Sequence, residues 1–242
     1  MKILVLSDIH SNLVALETVL DQAPKFDALW CLGDVVGYGP NPNECIDRLI
    51  KYPNLVCLIG NHDAATVERI DLGAFNPEAA LVIKWTQNQL TDRSISFLNK
   101  LPEILVLDSI TLSHGSPRYP IWEYILDSRT AQQNFGYFET PYCFVGHSHL
   151  PSIFEFQNGR DTADITIPKA NTQFKLTQRS IVNPGSVGQP RDRDPRAAYA
   201  IYDSESESFT FYRIDYDIAS VQERMRALHF PNRFIERLQT GY

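Results

Sequence analysis

The sequence is poor in cysteine, with four among 242 residues and no CxxC pair. Cys31, Cys57 and Cys143 fall within apolar, strand-like runs, where a free thiol packs as a small hydrophobic group. The fourth, Cys45, stands apart from the other three. Scattered single cysteines give no sign of a paired thiolate site, and they are typical of a protein from a reducing cytoplasm.

Long hydrophobic runs are also missing, and no apolar stretch reaches the length needed to span a membrane. The first predicted strand begins at Lys2, which leaves no room ahead of it for a signal peptide. Positive charge is scarce: 22 Lys and Arg stand against 29 Asp and Glu, a net charge of −7. Because phosphate backbones are bound mainly by clustered Lys and Arg, this balance disfavours long nucleic acids as partners. We therefore expect a cytoplasmic protein without a membrane partner.

What remains is an ordinary globular composition, 43% hydrophobic and 21% charged. In the first half, apolar runs alternate with segments of helical apolar spacing. Each run is followed within two residues by a polar side chain: Lys2–Leu6 by Asp8, Ala28–Leu32 by Asp34, and Leu55–Ile59 by Asn61. This repetition predicts a parallel sheet with right-handed crossovers.

The second half is richer in strands. A helix is predicted over Asn76–Leu101, and eight short β-rich segments follow between residues 104 and 214. The dipeptide Asn158-Gly159 indicates a type I′ hairpin turn, and Asp217–Leu228 has helical spacing again. We interpret residues 1–242 as a single α/β (α+β) domain in which two β-sheets stack and helices flank them.

Histidines cluster at predicted strand ends. Five of the six lie at or just beyond the carboxyl end of a strand: His10, His62, His114, His147 and His149. Asp8, Asp34 and Asn61 occupy the same kind of position. Because strand ends in α/β sheets converge on one edge, these side chains can meet. Imidazoles, carboxylates and an amide oxygen without a thiolate suit Mn²⁺, Fe or Zn²⁺.

The number of candidate ligands indicates more than one ion. A single metal needs about four protein ligands, whereas seven candidates are present: Asp8, His10, Asp34, Asn61, His114, His147 and His149. Two ions that share a ligand account for the set. In such a site a carboxylate such as Asp34 bridges ions roughly 3.5–4 Å apart, and the pair activates a water and neutralises charge on a phosphoryl group.

Five short blocks carry these residues in order along the chain. They are Asp8-Ile9-His10, Gly33-Asp34-Val35-Val36-Gly37, Gly60-Asn61-His62-Asp63, His114-Gly115 and Gly146-His147-Ser148-His149. The series resembles the motifs of the calcineurin-like metallophosphoesterases, in particular the small bacterial and archaeal phosphodiesterase-like members. It spans more than half of the chain, and the run from Asn183 to Gly188 resembles a loop of those members as well.

This resemblance implies a four-layer αββα sandwich of two mixed β-sheets, and hydrolysis of a small phosphomonoester or phosphodiester by in-line attack of water. It implies that Asp8, His10, Asp34 and His149 hold one ion, and that Asp34, Asn61, His114 and His147 hold the other. His62 matches the family's non-ligand histidine, which stabilises or protonates the leaving oxygen. Mn²⁺ is our first expectation for the metal, with Fe, Zn²⁺ and Ni²⁺ as alternatives.

The second block departs from one branch of the family. The protein Ser/Thr phosphatases continue it as Gly-Asp-x-x-Asp-Arg-Gly, whereas this chain has Gly37 and Tyr38 in place of the second Asp and the Arg. The departure argues against phosphoprotein phosphatase activity. Two other functions stay open: a catalytically silent scaffold for protein partners, against which the presence of His62 argues, and a nuclease.

Two further segments have alternative interpretations. Pro117–Ile125 contains Arg118, Tyr119, Trp122 and Tyr124, and could form a wall facing the substrate or pack as an ordinary loop. The arginines of the second segment, Arg191, Arg193 and Arg196, could hold a phosphate through bidentate contacts. Their neighbours Asp192 and Asp194 offer surface ion pairs instead.

Overall fold

The computed structural model describes residues 1–242 and contains twelve strands and eight α-helices. The strands are β1 (Lys2–Leu6), β2 (Ala28–Cys31), β3 (Leu55–Cys57), β4 (Ile104–Leu107), β5 (Ile110–Ser113), β6 (Tyr142–Phe144), β7 (Ser152–Glu155), β8 (Asp164–Thr166), β9 (Thr172–Lys175), β10 (Ser180–Asn183), β11 (Ala197–Asp203) and β12 (Ser208–Ile214). The helices are α1 (Leu13–Gln22), α2 (Pro42–Ile50), α3 (Asn61–Thr66), α4 (Pro77–Gln89), α5 (Asp92–Leu98), α6 (Ser128–Asn134), α7 (Ile218–Ala227) and α8 (Asn232–Thr240).

No helix is at once long enough and apolar enough to pass through a membrane.

The strands form two six-stranded sheets. The first sheet has the order β3-β2-β1-β11-β12-β9, and the second has the order β4-β5-β6-β10-β7-β8. In the first sheet β1, β2 and β3 run parallel, with Leu4 opposite Leu29 and Leu29 opposite Leu55. In the second sheet β5, β6 and β10 run parallel. All other neighbouring strands are antiparallel, so both sheets are mixed.

Side-chain alternation along β1 shows how the layers are built. Ile3 and Val5 join the core between the sheets, where the ring centroids of Trp30 and Phe144 lie 6.1 Å apart. Leu4 points to the other face and joins the cluster that α1 and α2 cover. Successive side chains of a strand face opposite sides of the sheet, so one apolar run serves both layers.

The remaining helices cover the second sheet and one end of the sandwich. Helix α6 packs Ala131 on the outer face of the second sheet, next to Cys143. Helices α4, α7 and α8 pack together around Tyr38, with Phe234 of α8 in direct contact with its ring. The predicted αββα sandwich of two mixed sheets flanked by helices is therefore confirmed.

Local details differ from the sequence predictions. The helix predicted over Asn76–Leu101 is two helices, because Leu90 is extended and the Thr91 hydroxyl caps a new helix by accepting from the Ser94 N–H at 3.2 Å. Strand β8 was not predicted. It pairs with β7 as a hairpin, but the connection runs over residues 156–163, and of the predicted turn pair only Gly159 has positive φ. A type I′ turn requires positive φ at both central residues, so that prediction was wrong.

Candidate metal centre

The eight predicted site residues lie together at the edge where the parallel strands end. Asp8 and His10 follow β1, Asp34 follows β2, Asn61 and His62 follow β3, His114 follows β5, and His147 and His149 follow β6. All eight are buried, with at most 4% of their surface exposed. Both sheets contribute, because the parallel strands of each end at the same side of the sandwich.

One half of the site is formed by Asp8, His10 and His149. Nε2 of His10 lies 3.1 Å from Nε2 of His149, and Oδ1 of Asp8 lies 3.4 Å from the His149 nitrogen and 3.9 Å from the His10 nitrogen. Oδ1 of Asp8 is buried and has no hydrogen-bond partner. Three polar atoms therefore converge on one small space.

The tautomers of these two histidines follow from their other contacts. Nδ1 of His10 lies 3.2 Å from the Val36 carbonyl, and Nδ1 of His149 lies against the Gln189 carbonyl. Since a carbonyl can only accept, both Nδ1 atoms carry the proton and both Nε2 atoms present lone pairs to each other. Burial lowers the pKa of both rings well below the usual value, which disfavours a second proton. Converging lone pairs in a buried space fit a divalent cation.

The other half of the site is formed around His114. Its Nδ1 donates to the Leu32 carbonyl at 2.8 Å, so Nε2 faces Oδ2 of Asp34 at 3.4 Å and Oδ1 of Asn61 at 3.3 Å. His147 completes this cluster, and the ligating atoms of Asp34, His114 and His147 lie within 4.8 Å of one another. Two oxygens, Oδ2 of Asp34 and Oδ1 of Asn61, thus face Nε2 of His114, and they favour positive charge at this place, either a proton on Nε2 or a second cation.

Asp34 belongs to both halves. Besides its contact with His114, its Oδ2 lies 3.6 Å from Nε2 of His10. Burial favours the neutral acid, but the nearby imidazoles of His114 and His62 outweigh burial and hold the pKa of Asp34 below its usual value. This carboxylate is in position to bridge two ions.

The charges of the site are interdependent. Burial raises the pKa of Asp8 to about 6. Burial opposes a charge on His114, yet the carboxylates of Asp34 and Asp8 raise its pKa to about 9. An imidazolium at His114 thus supplies positive charge between two buried acids, a role that a metal cation would take over.

His62 stands beside both halves, and one of its ring nitrogens lies within 4.8 Å of the polar atoms of His10 and Asp34. Its backbone N–H donates to Oδ1 of Asp34 at 2.9 Å, and its ring centroid lies 4.9 Å from that of His10, 4.4 Å from that of Tyr38 and 5.2 Å from that of Phe75. Burial lowers the pKa of His62 to about 4, and its Nδ1 has no hydrogen-bond partner. The ring is therefore neutral at pH 7.

Asp63 is a buried site residue that the sequence interpretation did not single out. Its carboxylate accepts from the backbone N–H groups of Val35 at 3.2 Å, Val36 at 2.9 Å and Gly60 at 3.0 Å. It therefore ties the loop that carries Asp34 to the start of α3. The sequence feature that could have identified Asp63 is its place three positions after Gly60, the spacing of a helix capping box.

The loop after β10 supports the loop after β1. The Asn183 amide donates to the Gly146 carbonyl at 2.7 Å and to the Ser148 hydroxyl at 3.0 Å. The Ser186 hydroxyl donates to the Asp8 carbonyl at 2.8 Å. The run from Asn183 to Gly188 thus positions ligand-bearing loops from both sheets.

The backbone at the site is strained. Five of the predicted ligands have φ between 48° and 64°: Asp8, His10, Asp34, His147 and His149. For residues other than glycine, this left-handed conformation is less stable than the right-handed one by about 1–2 kcal/mol. Such strain persists where the surrounding structure enforces it, and it concentrates at functional sites.

The segment Pro117–Ile125 forms one wall of the site. Nε2 of His147 donates to the Trp122 carbonyl at 3.2 Å, which leaves Nδ1 free to ligate, and the Tyr124 ring stacks on the His147 ring at 3.8 Å. Arg118 faces away and pairs with Glu123. The aromatic residues of this segment thus contact the site, and its arginine holds the loop in shape.

The predicted arginine cluster divides into separate roles. Arg196 pairs with Asp194 at 2.6 Å, and the guanidinium of Arg193 lies over the Tyr242 ring at 5.6 Å. Arg191 turns toward the site, with its guanidinium 5.7 Å from the centroid of the Tyr38 ring. The ion-pair interpretation holds for Arg196, and Arg191 is the member next to the candidate ligands.

Comparison with known proteins identifies the family. The sequence profile of the calcineurin-like phosphoesterase superfamily domain matches residues 1–207. The chain belongs to this family. A metallophosphoesterase from Sphaerobacter thermophilus is 44% identical, and its crystal structure covers 100% of this chain and 99% of its own, with a TM-score of 0.92.

Two curated relatives add to this family assignment. An uncharacterized protein of Methanocaldococcus jannaschii is 36% identical over 246 residues, 99% of this chain and 98% of that protein. The symmetrical bis(5′-nucleosyl)-tetraphosphatase of Pseudomonas fluorescens is 33% identical over 98 residues, 34% of this chain and 35% of that enzyme. The family and the tetraphosphatase relative point to a phosphoester hydrolase.

Proposed function

We propose that the protein hydrolyses a small phosphate ester with the help of two divalent metal ions. The observation that carries this proposal is the convergence of buried lone pairs at two adjacent places that share Asp34. The cluster of Asp8, His10 and His149 has no proton between its acceptors, and at the other cluster a cation would replace the proton on His114.

We assign the ligands by cluster. Asp8, His10, Asp34 and His149 would hold one ion, and Asp34, Asn61, His114 and His147 would hold the other. When bound, such a pair lowers the pKa of a water and neutralises charge on the attacked phosphoryl group. Oxygen and imidazole ligands without thiolate are compatible with Mn²⁺, our first choice, and with Fe, Zn²⁺ or Ni²⁺.

His62 is the proposed catalytic side chain. It lies within reach of the space between the two clusters, and its neutral ring can donate one N–H to an oxygen of the phosphoryl or leaving group. Its backbone N–H bond to Asp34 fixes its position relative to the bridging carboxylate. Its role would be to stabilise negative charge that develops on the leaving oxygen.

A small substrate is favoured over a phosphoprotein or a long nucleic acid. Gly37 and Tyr38 replace the Asp and Arg of the protein phosphatase branch, and the net charge is −7. The Pseudomonas fluorescens relative is a tetraphosphatase of bis(5′-nucleosyl) compounds. Four buried, unpaired cysteines support a cytoplasmic location for the reaction.

The decisive assay compares the Mn²⁺-loaded protein with its His62→Ala variant on p-nitrophenyl phosphate and bis-p-nitrophenyl phosphate. We expect hydrolysis of at least one substrate and a loss of about 100-fold or more in the variant. If wild type and variant were equally inactive on both, a silent scaffold would be the better description. A plasmid-nicking assay separates the nuclease alternative.

A further inference from the structure

Three arginines line a cavity outside the metal centre. Arg191 lies on one side, and Arg233 and Arg237 of α8 lie on the other; the volume is about 630 Å³. The lining also includes Glu236 and Tyr242. The cavity is larger than a single phosphate group requires.

The positive charge in this cavity is not balanced. None of Arg191, Arg233 and Arg237 forms an ion pair with an Asp or Glu side chain, whereas nearby Arg196 and Arg213 pair with aspartates. Among the side chains of the lining, three arginines stand against one carboxylate, Glu236, which leaves a side-chain net charge of +2.

Few partners hold these arginines: Nη2 of Arg191 donates to Oε1 of Gln189 at 2.9 Å, and Nε of Arg237 donates to the main-chain oxygen of Tyr242 at 3.1 Å. Nε of Arg191 is buried without a hydrogen-bond acceptor. Burial, followed by the charges of Arg191 and Arg233, lowers the pKa of Arg237. Like charges held together in a partly buried space indicate a binding site for an anion.

The cavity adjoins the metal centre across Tyr38. The guanidinium of Arg191 lies 5.7 Å from the Tyr38 ring, and the same ring lies 4.7 Å from His10 and 4.4 Å from His62. On its other side Tyr38 contacts Phe234 of α8 at 4.7 Å. A molecule reaching from the candidate ligands past Tyr38 would therefore meet the arginines.

We propose that this cavity binds a second phosphate group of the substrate, so that the substrate class is small molecules with at least two phosphates. The inference rests on the proposed function. Guanidinium groups recognise phosphate through paired N–H donors, and three of them suit a polyphosphate better than a carboxylate or an uncharged group. Arg233 and Arg237 lie beyond residue 207, where the match to the family domain ends. The class of substrate would thus be set in part by the C-terminal helix α8.

Binding of inorganic tripolyphosphate and orthophosphate to metal-free protein, measured by isothermal titration calorimetry, tests the cavity apart from catalysis. We expect wild type to bind tripolyphosphate at least tenfold more tightly than orthophosphate. Arg233→Gln should reduce that preference several-fold, and the double variant with Arg237→Gln should abolish it. Arg233 is exposed and makes no hydrogen bond, so its substitution does not endanger the fold. Arg226→Gln, an exposed arginine on α7 outside the cavity, is the matched control and should keep the preference.

The outcomes separate the two proposals. Equal affinity for the two anions in wild type, or an undiminished preference in the double variant, overturns the inference even if p-nitrophenyl phosphate is hydrolysed. A preference that disappears in the double variant, together with hydrolysis by the Mn²⁺-loaded wild type, supports it. Tripolyphosphate binding without hydrolysis of any ester would refute the proposed function, and with it the assignment of this anion as part of a substrate.

Discussion

Gly37 lies directly against the imidazole of His62: a Cβ atom at position 37 would stand 2.6 Å from Nδ1. The residue also has φ of +103°, a conformation that side chains rarely adopt. An aspartate at this position, as in the protein phosphatase branch, does not fit this arrangement. The Nδ1 atom of His62 accordingly has no carboxylate partner.

Gly37→Ala is expected to lower kcat by about 100-fold, because the new methyl group must push the His62 ring away from its position. Metal content should stay at the wild-type level, since neither residue is a proposed ligand. Steady-state kinetics with p-nitrophenyl phosphate and elemental analysis would measure both. Gly136→Ala is the control, because a Cβ there meets nothing within 4 Å. Equal kinetics in the two variants would contradict the steric argument.

Asp34→Asn is expected to remove more bound metal than His62→Asn. Asp34 is the carboxylate that contacts both clusters, whereas His62 is, in our proposal, a catalytic side chain and not a ligand. We expect the first variant to lose both ions to a large extent and the second to keep nearly all of its metal. Elemental analysis after dialysis gives the answer, and similar losses in both variants would refute this division of roles.

Metal affinity should depend on pH. With its pKa raised to about 9, His114 carries a proton at pH 7 that a cation must displace. Asp8, whose pKa burial raises to about 6, adds a second proton in more acid solution. The association constant for Mn²⁺ should therefore rise about tenfold per pH unit between roughly pH 6.5 and 8.5, and more steeply below pH 6. Calorimetric titrations at several pH values would detect this slope, and a flat profile would be inconsistent with it.

Glu123→Gln should destabilise the wall that carries Trp122 and Tyr124. Glu123 accepts from the Ser116 hydroxyl at 2.7 Å, the Arg118 Nε at 3.1 Å and the Asn134 amide at 2.8 Å. We expect a loss of about 1–3 kcal/mol in the free energy of unfolding, measured with urea at pH 7. Glu103→Gln, at an exposed position, should change it far less.

The contribution of the Glu123 carboxylate to the free energy of unfolding should depend on pH. Burial alone would raise the pKa of Glu123, but the bonds from Arg118, Asn134 and Ser116 lower it below 4.5. The stabilisation is therefore complete above pH 4.5 and is lost as the pH falls through the lowered value. The difference between wild type and Glu123→Gln should shrink in that acid range, and a constant difference would show that the charge is not responsible.

The sequence was sufficient to predict the layers of the fold and the residues that lie together at the candidate site. Continuous apolar runs such as Lys2–Leu6 and the polar residues at their ends are local signals, and parallel pairing brings such ends together. The break at Leu90 was missed because Thr91 ends and restarts a helix without a change in apolar spacing. Strand β8 was missed because it is short and largely exposed.

Other features depend on contacts that no local pattern encodes. The role of Asp63 requires the loop after β2 to lie beside α3, a tertiary relationship. The cavity is lined by Arg191 and by residues of α8 that lie more than forty positions further along the chain. In the sequence, the spacing of Arg233 and Arg237 indicates only that both lie on one face of a helix. Charge patterns alone could not tell Arg191 from its ion-paired neighbour Arg196.

The proposed ligands come from both sheets, so metal binding would link the assembly of one sheet to that of the other. Each ion would join residues of the first sheet to histidines of the second: His149 for one, His114 and His147 for the other. Bound metal would then cross-link the two sheets. During synthesis, neither site could be completed before the histidines of the second sheet have left the ribosome. Chelation should accordingly loosen the seam between the sheets before it unfolds either sheet, with amide hydrogen exchange rising first in the loops after β5 and β6.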